Sequence, residues 1–173
     1  MDIQIFGKDS LKIKSKKTTL AVDPKSSIPK FEADVVILID KDADATRIDD
    51  FRVSINAAGE YEVGGLKISG VTLEKDTMFV LTSENVTLLI AKASSLEKAT
   101  AEKIGDYQIL VINVDSDLNQ SVITAMEPNV VILYGAKAKE AAKTLGKGSV
   151  STSSKITVSE DKLPEEMDVM ILA

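Results

Sequence analysis

Residues 34–40 read DVVILID, and residues 130–135 read VVILYG. Each is a short unbroken apolar run, rich in β-branched side chains and bounded by polar or turn residues. Such runs fit strands buried on both faces, whereas half-exposed strands alternate apolar with polar positions. A third run, residues 108–114, has the same character. Upstream, residues 3–6, 11–14 and 18–22 read as brief strands, and the last of them ends at Asp23-Pro24, where proline stops a ladder. Residues 24–30 form a Pro/Ser/Lys loop.

Between these regions the chain reads as an antiparallel meander. Residues 51–55 lead into Gly59-Glu60-Tyr61-Glu62-Val63-Gly64-Gly65 and then residues 66–73. Strands over 78–81 and 86–90 flank a hairpin turn, and the Gly64-Gly65 pair fits a second tight turn. After residue 92 helices alternate with strands. One helix is expected from Ser94/Ser95 through Lys103, stopped by Gly105; a second spans 119–126 and a third 138–145. Residues 155–158 and 168–172 read as closing strands. No internal repeat or linker interrupts residues 1–173, so one domain is expected. Meander followed by alternation indicates an α/β (α+β) sandwich of mixed sheets.

Composition narrows the chemistry. The 173 residues include no histidine and no cysteine, which removes thiol catalysis, disulfides, His-based triads and imidazole metal ligands. A net charge of −6 argues against general nucleic-acid binding. Lys12, Lys14, Lys16 and Lys17 form a local basic patch that reads as a solvated sheet edge. No apolar run is long enough to span a bilayer and no signal-peptide pattern opens the chain, so no membrane association is expected and a cytoplasmic protein is. Phosphate-loop motifs are absent, Gly146-Lys147-Gly148-Ser149 having the wrong spacing. Ser153-Ser154-Lys155, and Ser94 near Lys92, are the serine–lysine combinations available to a nucleophile, and turn and cap roles account for both. Tyr61 and Glu62 read as structural.

The loop after DVVILI carries Asp40, Asp42 and Asp44 at alternate positions, with Asp49 beyond and Asp23 upstream. Oxygen ligands suit Mg²⁺, Mn²⁺ or Ca²⁺. The loop opens like the D-x-D-x-D of a calcium loop, but Ala45 stands where its turn requires glycine and Phe51 where its bidentate glutamate belongs. A solvated acidic loop is the other reading.

The collinear series TTLAVDP, ADVVILID with its acidic loop, INAAGEYEVGGLKISGV, VTLLIA, IGDYQILVINV, MEPNVVILYG and LPEEMDVMIL resembles the short prokaryotic Zn-dependent-hydrolase-like group of the metallo-β-lactamase-fold superfamily, with GEYEVGG at 59–65 the most specific segment. The resemblance covers nearly the whole chain. It implies a four-layer αβ/βα sandwich and two metals held by an H-x-H-x-D-H loop with later His and Asp ligands. Here Asp40 and Asp42 stand at the first two histidines, Asp44 matches the family aspartate, and Ala45 replaces the third histidine. Lys92 falls where a bridging carboxylate belongs and would repel a cation, and Gly135 falls at the final histidine. The segment between Gly70 and Met78 is short. The expectation is a hydrolase-like scaffold with a degenerate metal site: a pseudoenzyme with no catalytic residue and no resident metal, serving a binding or structural role through a protein partner or self-association. The alternatives are a hydrolase using Mg²⁺, Mn²⁺ or Ca²⁺ at Asp40, Asp42 and Asp44, and a small-molecule binder using the vacated cleft.

Overall fold

A computed structural model describes residues 1–99 and 101–173. In chain order the strands and helices are β1 Asp2–Phe6, β2 Ser10–Lys14, β3 Thr19–Val22, β4 Phe31–Glu32, β5 Val35–Ile37, β6 Ile48–Asp49, β7 Val53–Ile55, β8 Gly59–Val63, β9 Leu66–Leu73, β10 Asp76–Ser83, β11 Val86–Lys92, α1 Ala93–Leu96, α2 Ala101–Ile104, β12 Ile109–Asn113, α3 Gln120–Ala125, β13 Val130–Tyr134, α4 Ala138–Thr144, β14 Thr152–Ser153, β15 Lys155–Thr157 and β16 Asp168–Leu172. A first sheet has the order β15-β1-β2-β3-β5-β7, a second the order β14-β16-β13-β12-β11-β10-β9-β8, and β4 pairs with β6 as a small ribbon.

The apolar runs behave as their composition requires. Every residue of β5, β12 and β13 is buried. These strands lie parallel to their neighbours, β5 between β3 and β7, and β12 between β11 and β13. The sheets face one another across an aliphatic interior that includes Ile3, Leu20, Ile37, Leu88, Val111 and Ile132. Removing such side chains from water, at roughly 25 cal/mol per Å², is the main favourable contribution to folding. Among the described residues no helix is long and apolar enough to cross a membrane.

The two outer faces differ. On the second sheet, α1, α3 and α4 bury Leu96, Ile123, Ala138 and Ala141 against Leu110, Leu133 and Ile171. On the first sheet the covering layer is thin: Ile28, Ala33 and Ile48, from a loop and the β4/β6 ribbon, pack on Ala21 and Val36. That layer contains a 3-10 turn, Ala45–Arg47, in place of full helices.

Three expectations need correction. Residues 53–55 do not begin the meander; β7 joins the first sheet beside β5, and the antiparallel meander starts at β8. Its parallel register, Val35 with Val53 and Ile37 with Ile55, lets Ile55 point into the shared interior. The lysine-bearing strand β2 is not an edge, because it pairs with both β1 and β3. Leu11 and Ile13 face the interior while Lys12 lies over the Phe31 ring at 4.6 Å, so the alternation records one covered face and one open face. The helix expected over 94–103 is two short helices, α1 and α2, with Thr100 outside the described residues. Lys98 N–H donates to the Ser95 carbonyl and Ala99 N–H to that of Leu96, the tight i→i−3 pattern that closes a helix.

Candidate functional site

In both sheets the parallel strands end at one rim, and the charged residues collect there. Leaving β3, Asp23 takes a left-handed backbone conformation (φ 45°) and is buried. Its Oδ1 accepts the backbone N–H groups of Ile39 at 2.6 Å and Asp40 at 2.8 Å. One carboxylate thus ties the end of β3 to the loop that leaves β5, and sets the direction in which Asp40 emerges. Burial pushes the Asp23 carboxyl up to about 6, opposed by those two N–H groups and reinforced by the charge of Asp40.

Two ammonium groups meet Asp40. Lys92, the last residue of β11, pairs with its Oδ1, and Lys25 Nζ lies 3.4 Å from its Oδ2. Lys25 Nζ also donates to Asp42 Oδ1 at 2.9 Å. Asp40 therefore bridges two cations, one oxygen to each, across the gap between the sheets. Burial pulls the Lys92 ammonium down, but the hydrogen bond it donates to Asp40 and the fields of Asp40, Asp115 and Asp23 outweigh it, so the amine is held protonated. Lys25 behaves alike: burial opposes charge, and Asp42, Asp40 and Asp23 restore it. Lys25 in turn holds the Asp42 carboxyl below its ordinary range.

The remaining loop positions turn elsewhere. Asp44 Oδ1 accepts Thr46 N–H at 2.9 Å, capping the 3-10 turn, while its own N–H donates to the Pro24 carbonyl. Ala45 opens that turn and packs on the outer cluster of the first sheet. Asp49 pairs with Lys30 at 3.6 Å. Of the three alternating aspartates, then, Asp40 and Asp42 converge on Lys25, and Asp44 does not.

Across the second sheet the rim continues through paired positions: Lys92 beside Asn113, and Asn113 beside Tyr134. Tyr134 is wholly buried, and among the described residues its hydroxyl alone is a buried side-chain polar atom without a hydrogen-bond partner. Burial raises its pKa well above the ordinary phenol value, and the charges of Asp23, Asp40, Asp9 and Asp115 add to the effect. Gly135 follows with φ 91°, and a Cβ there would lie 2.5 Å from Asn113 Oδ1 and 3.4 Å from Asp9 Oδ1. A side chain at this position would displace Asn113. At the rim, a cleft of about 360 Å³ is bordered by Asp40, Asp42, Asn56, Lys75, Thr77 and Lys92.

The serine–lysine combinations do not form nucleophile–base pairs. Ser94 Oγ donates to Asp115 at 2.6 Å, and Ser153 Oγ donates to the Lys155 carbonyl while Lys155 Nζ pairs with Asp2. Tyr61 and Glu62 lie on β8, where the Tyr61 hydroxyl donates to the Ala57 carbonyl at 3.4 Å. A larger recess, about 600 Å³, runs along β16 from Asp168 to Ile171 beside residues 146–151, and the Asp168 carboxylate accepts the Val169 N–H at 2.8 Å.

Sequence reasoning missed Lys25, Asn113 and Tyr134. Lys25 sits in a loop read only as polar, and nothing in its spacing to Asp40 marks a pairing made across two loops. Asn113 and Tyr134 are each the final residue of an apolar run, and a polar residue ending a parallel strand is the signal that locates a rim.

No protein-family model matches the chain, and no curated protein matches it in sequence. Solved structures do match. A Thermotoga maritima protein of the metallo-β-lactamase superfamily, named for a proposed Zn-dependent hydrolase activity, superposes with a TM-score of 0.78 at 24% identity, over 99% of this chain and 98% of that one. The chain has the metallo-β-lactamase fold. An isothiocyanate hydrolase from Delia radicum gut bacteria matches with a TM-score of 0.60 at 13% identity, over 100% of this chain and 96% of that one. The metallo-β-lactamase-fold protein YhfI of Bacillus subtilis matches with a TM-score of 0.55 at 12% identity, over 98% and 95%.

Within this fold, a His-rich zinc centre does not fit the residues present. The chain contains no imidazole and no thiolate, and zinc sites are built from those donors with carboxylates as a minority. Among the described residues no three His, Cys, Asp or Glu side chains converge to hold a metal ion.

Proposed function

We propose that this metallo-β-lactamase-fold chain is non-catalytic and serves a binding or structural role. The observation that carries the reading is the pair of ammonium groups on Asp40: the positive charge at the rim comes from Lys92 and Lys25. A metallohydrolase uses its metal to acidify a bound water and polarise the scissile group. An ammonium already saturated by carboxylates supplies neither an open coordination position nor a base. Folds outlive the sites they once carried, and a rim neutralised from within keeps the scaffold intact without a metal. Calorimetric titration of the native chain with Zn²⁺, Mn²⁺ and Mg²⁺ tests this. No saturable binding is expected; saturable binding lost in Asp42→Ala would replace the reading with that of a carboxylate-dependent metalloenzyme.

The 360 Å³ cleft favours one further role, small-molecule binding. Its border mixes carboxylates, ammonium groups and the amide of Asn56, a lining suited to a small polar ligand. Mass spectrometry of the protein purified from its native cell under non-denaturing conditions separates the two roles. Recovery as a monomer with a bound small molecule supports the cleft, and recovery with a protein partner supports the scaffold.

A further inference from the structure

We infer that the outward face of the first sheet around β2 is a docking surface for an extended acidic segment of a partner protein. The inference rests on the binding role proposed above and gives its partner a chemistry; none of the residues of this face borders the rim cleft. Alternating lysines usually guard an exposed strand edge, but β2 lies between β1 and β3 and has no edge to guard. Leu11 and Ile13 point into the interior, so Lys12 and Lys14 stand together on the outward side. The layer over this sheet packs on Ala21 and Val36 and reaches Phe6 and Phe31 at its border. Lys14, Lys16 and Lys17 are exposed. Charge is also divided along the chain: residues 1–33 hold seven lysines and four carboxylates, and the rest carries all of the negative excess.

The sheet itself leaves these charges unanswered. Asp2, directly opposite Lys14 on β1, is engaged by β15: Lys155 Nζ lies 2.6 Å from its Oδ2, and Thr157 Oγ1 donates to its Oδ1 at 2.7 Å. Lys16 pairs with Glu84 at 3.1 Å, whereas among the described residues no carboxylate forms an ion pair with Lys12, Lys14 or Lys17. Lys12 rests on the Phe6 and Phe31 rings, 5.9 and 4.6 Å from their centroids. Phe6 lies opposite Ser10, where β2 begins, so an aromatic pair is followed along the strand by Lys12, Lys14 and the turn lysine Lys17. Outward positions of a strand recur about every 7 Å, and so do alternate side chains of an extended peptide. A segment with one apolar residue followed by carboxylates at alternate positions therefore complements this face in both charge and spacing. A nucleic acid is a poorer match, because its charge runs on past these lysines towards the acidic remainder of the chain.

The test uses the full chain and fluorescein-labelled synthetic peptides, followed by fluorescence anisotropy at about 50 mM salt. The probe is a phenylalanine followed by glutamates alternating with threonines. One control replaces every glutamate by glutamine, and a second keeps the composition but makes the glutamates consecutive. Saturable binding of the alternating probe is expected, at least about threefold tighter than that of the consecutive one. Lys12→Gln/Lys14→Gln weakens it about fivefold, whereas Lys139→Gln/Lys143→Gln, on the exposed side of α4, leaves it unchanged. Because Lys12 also touches the aromatic rings, Lys14→Gln/Lys17→Gln serves as a variant without packing loss and weakens binding about threefold. Absence of binding, equal binding of either control peptide, or binding unmoved by both β2 lysine pairs overturns the inference. A thymidine oligonucleotide of equal charge bound more tightly than the probe overturns it in favour of nucleic acid. Concentration-dependent dimerisation abolished by Lys12→Gln/Lys14→Gln overturns it in favour of a second copy of the chain. Saturable metal binding by the native chain sinks the non-catalytic reading and leaves this face untouched, so the two failures are distinguishable.

Discussion

Strands β12 and β13 are buried along their whole length, yet their middles and ends obey different rules. Val111 and Ile132 lie among aliphatic neighbours in the space between the sheets. Two residues further on, Asn113 stands beside Lys92 and Tyr134 beside Asn113, and Tyr134 lies in the field of Asp23, Asp40, Asp9 and Asp115. In the middle, each side chain is stabilised by being out of water, and a replacement is judged mainly by volume. At the rim, burial alone is a cost, and a group is tolerated only when a charge or hydrogen bond elsewhere in the molecule answers it. The interior therefore constrains residue class and the rim constrains pairs. In this chain the pairs are ammonium with carboxylate.

The largest effect that sharpens this contrast lies in the middle. Ile132→Ala removes three carbons from a side chain with no solvent exposure, and a loss of about 2–5 kcal/mol is expected, read by urea unfolding at constant slope. Lys92→Met comes next. The Lys92 and Asp40 side chains are 23% and 18% exposed, so their pairing falls between a surface ion pair and a buried one, and a loss of about 1–2 kcal/mol is expected. A double-mutant cycle with Asp40→Asn separates pairing from packing: the double variant should lose less than the two single losses added together. Strict additivity would show that the rim is held by packing, as the middle is.

The same contrast explains what could be read from the sequence. DVVILI, the run over 108–114 and VVILYG identified buried strands because an apolar run needs no knowledge of its partner. The acidic loop could be located but not resolved. Alternating spacing treated Asp40, Asp42 and Asp44 alike, whereas the 3-10 turn at Ala45–Arg47 directs Asp44 away as a cap. Lys92 was legible as a charge that repels metals, but its role in neutralising Asp40 depends on two strands in different sheets ending at one level. Residues 53–55 and the lysines of β2 were misplaced for a related reason: alternation shows that one face is covered, and says nothing about which sheet a strand joins or whether it lies at an edge.

Protonation of Asp23 probes the rim more gently. Its carboxyl is raised to about 6 in the folded protein, mainly by burial, against the ordinary carboxylate value near 4 in the unfolded chain. Between those values the folded state holds a proton that the unfolded state releases. The contribution of this group to stability is therefore greatest below pH ~4 and is lost as pH rises through about 6. Asp23→Asn retains an oxygen to accept the Ile39 and Asp40 N–H groups and removes the titration. The expected result is a flatter dependence of unfolding free energy on pH between 4.5 and 7 than in the native chain. An unchanged slope would assign the titration to another group.

Tyr134→Phe should have the smallest effect and the most informative sign. The Tyr134 hydroxyl is buried without a partner, and a group in that state incurs a desolvation cost of about 1–3 kcal/mol. Removing it while keeping the ring spares the packing with the interior. If the hydroxyl has no function at the rim, the variant should be as stable as the native chain or more stable by up to about 1 kcal/mol. A destabilised variant would mean that the hydroxyl is hydrogen-bonded in solution, with a water or a small polar ligand completing the row Lys92, Asn113, Tyr134. Equilibrium unfolding of both proteins decides the sign. Dialysing them exhaustively before repeating the measurement distinguishes the two donors, because a ligand is lost on dialysis and a water is not.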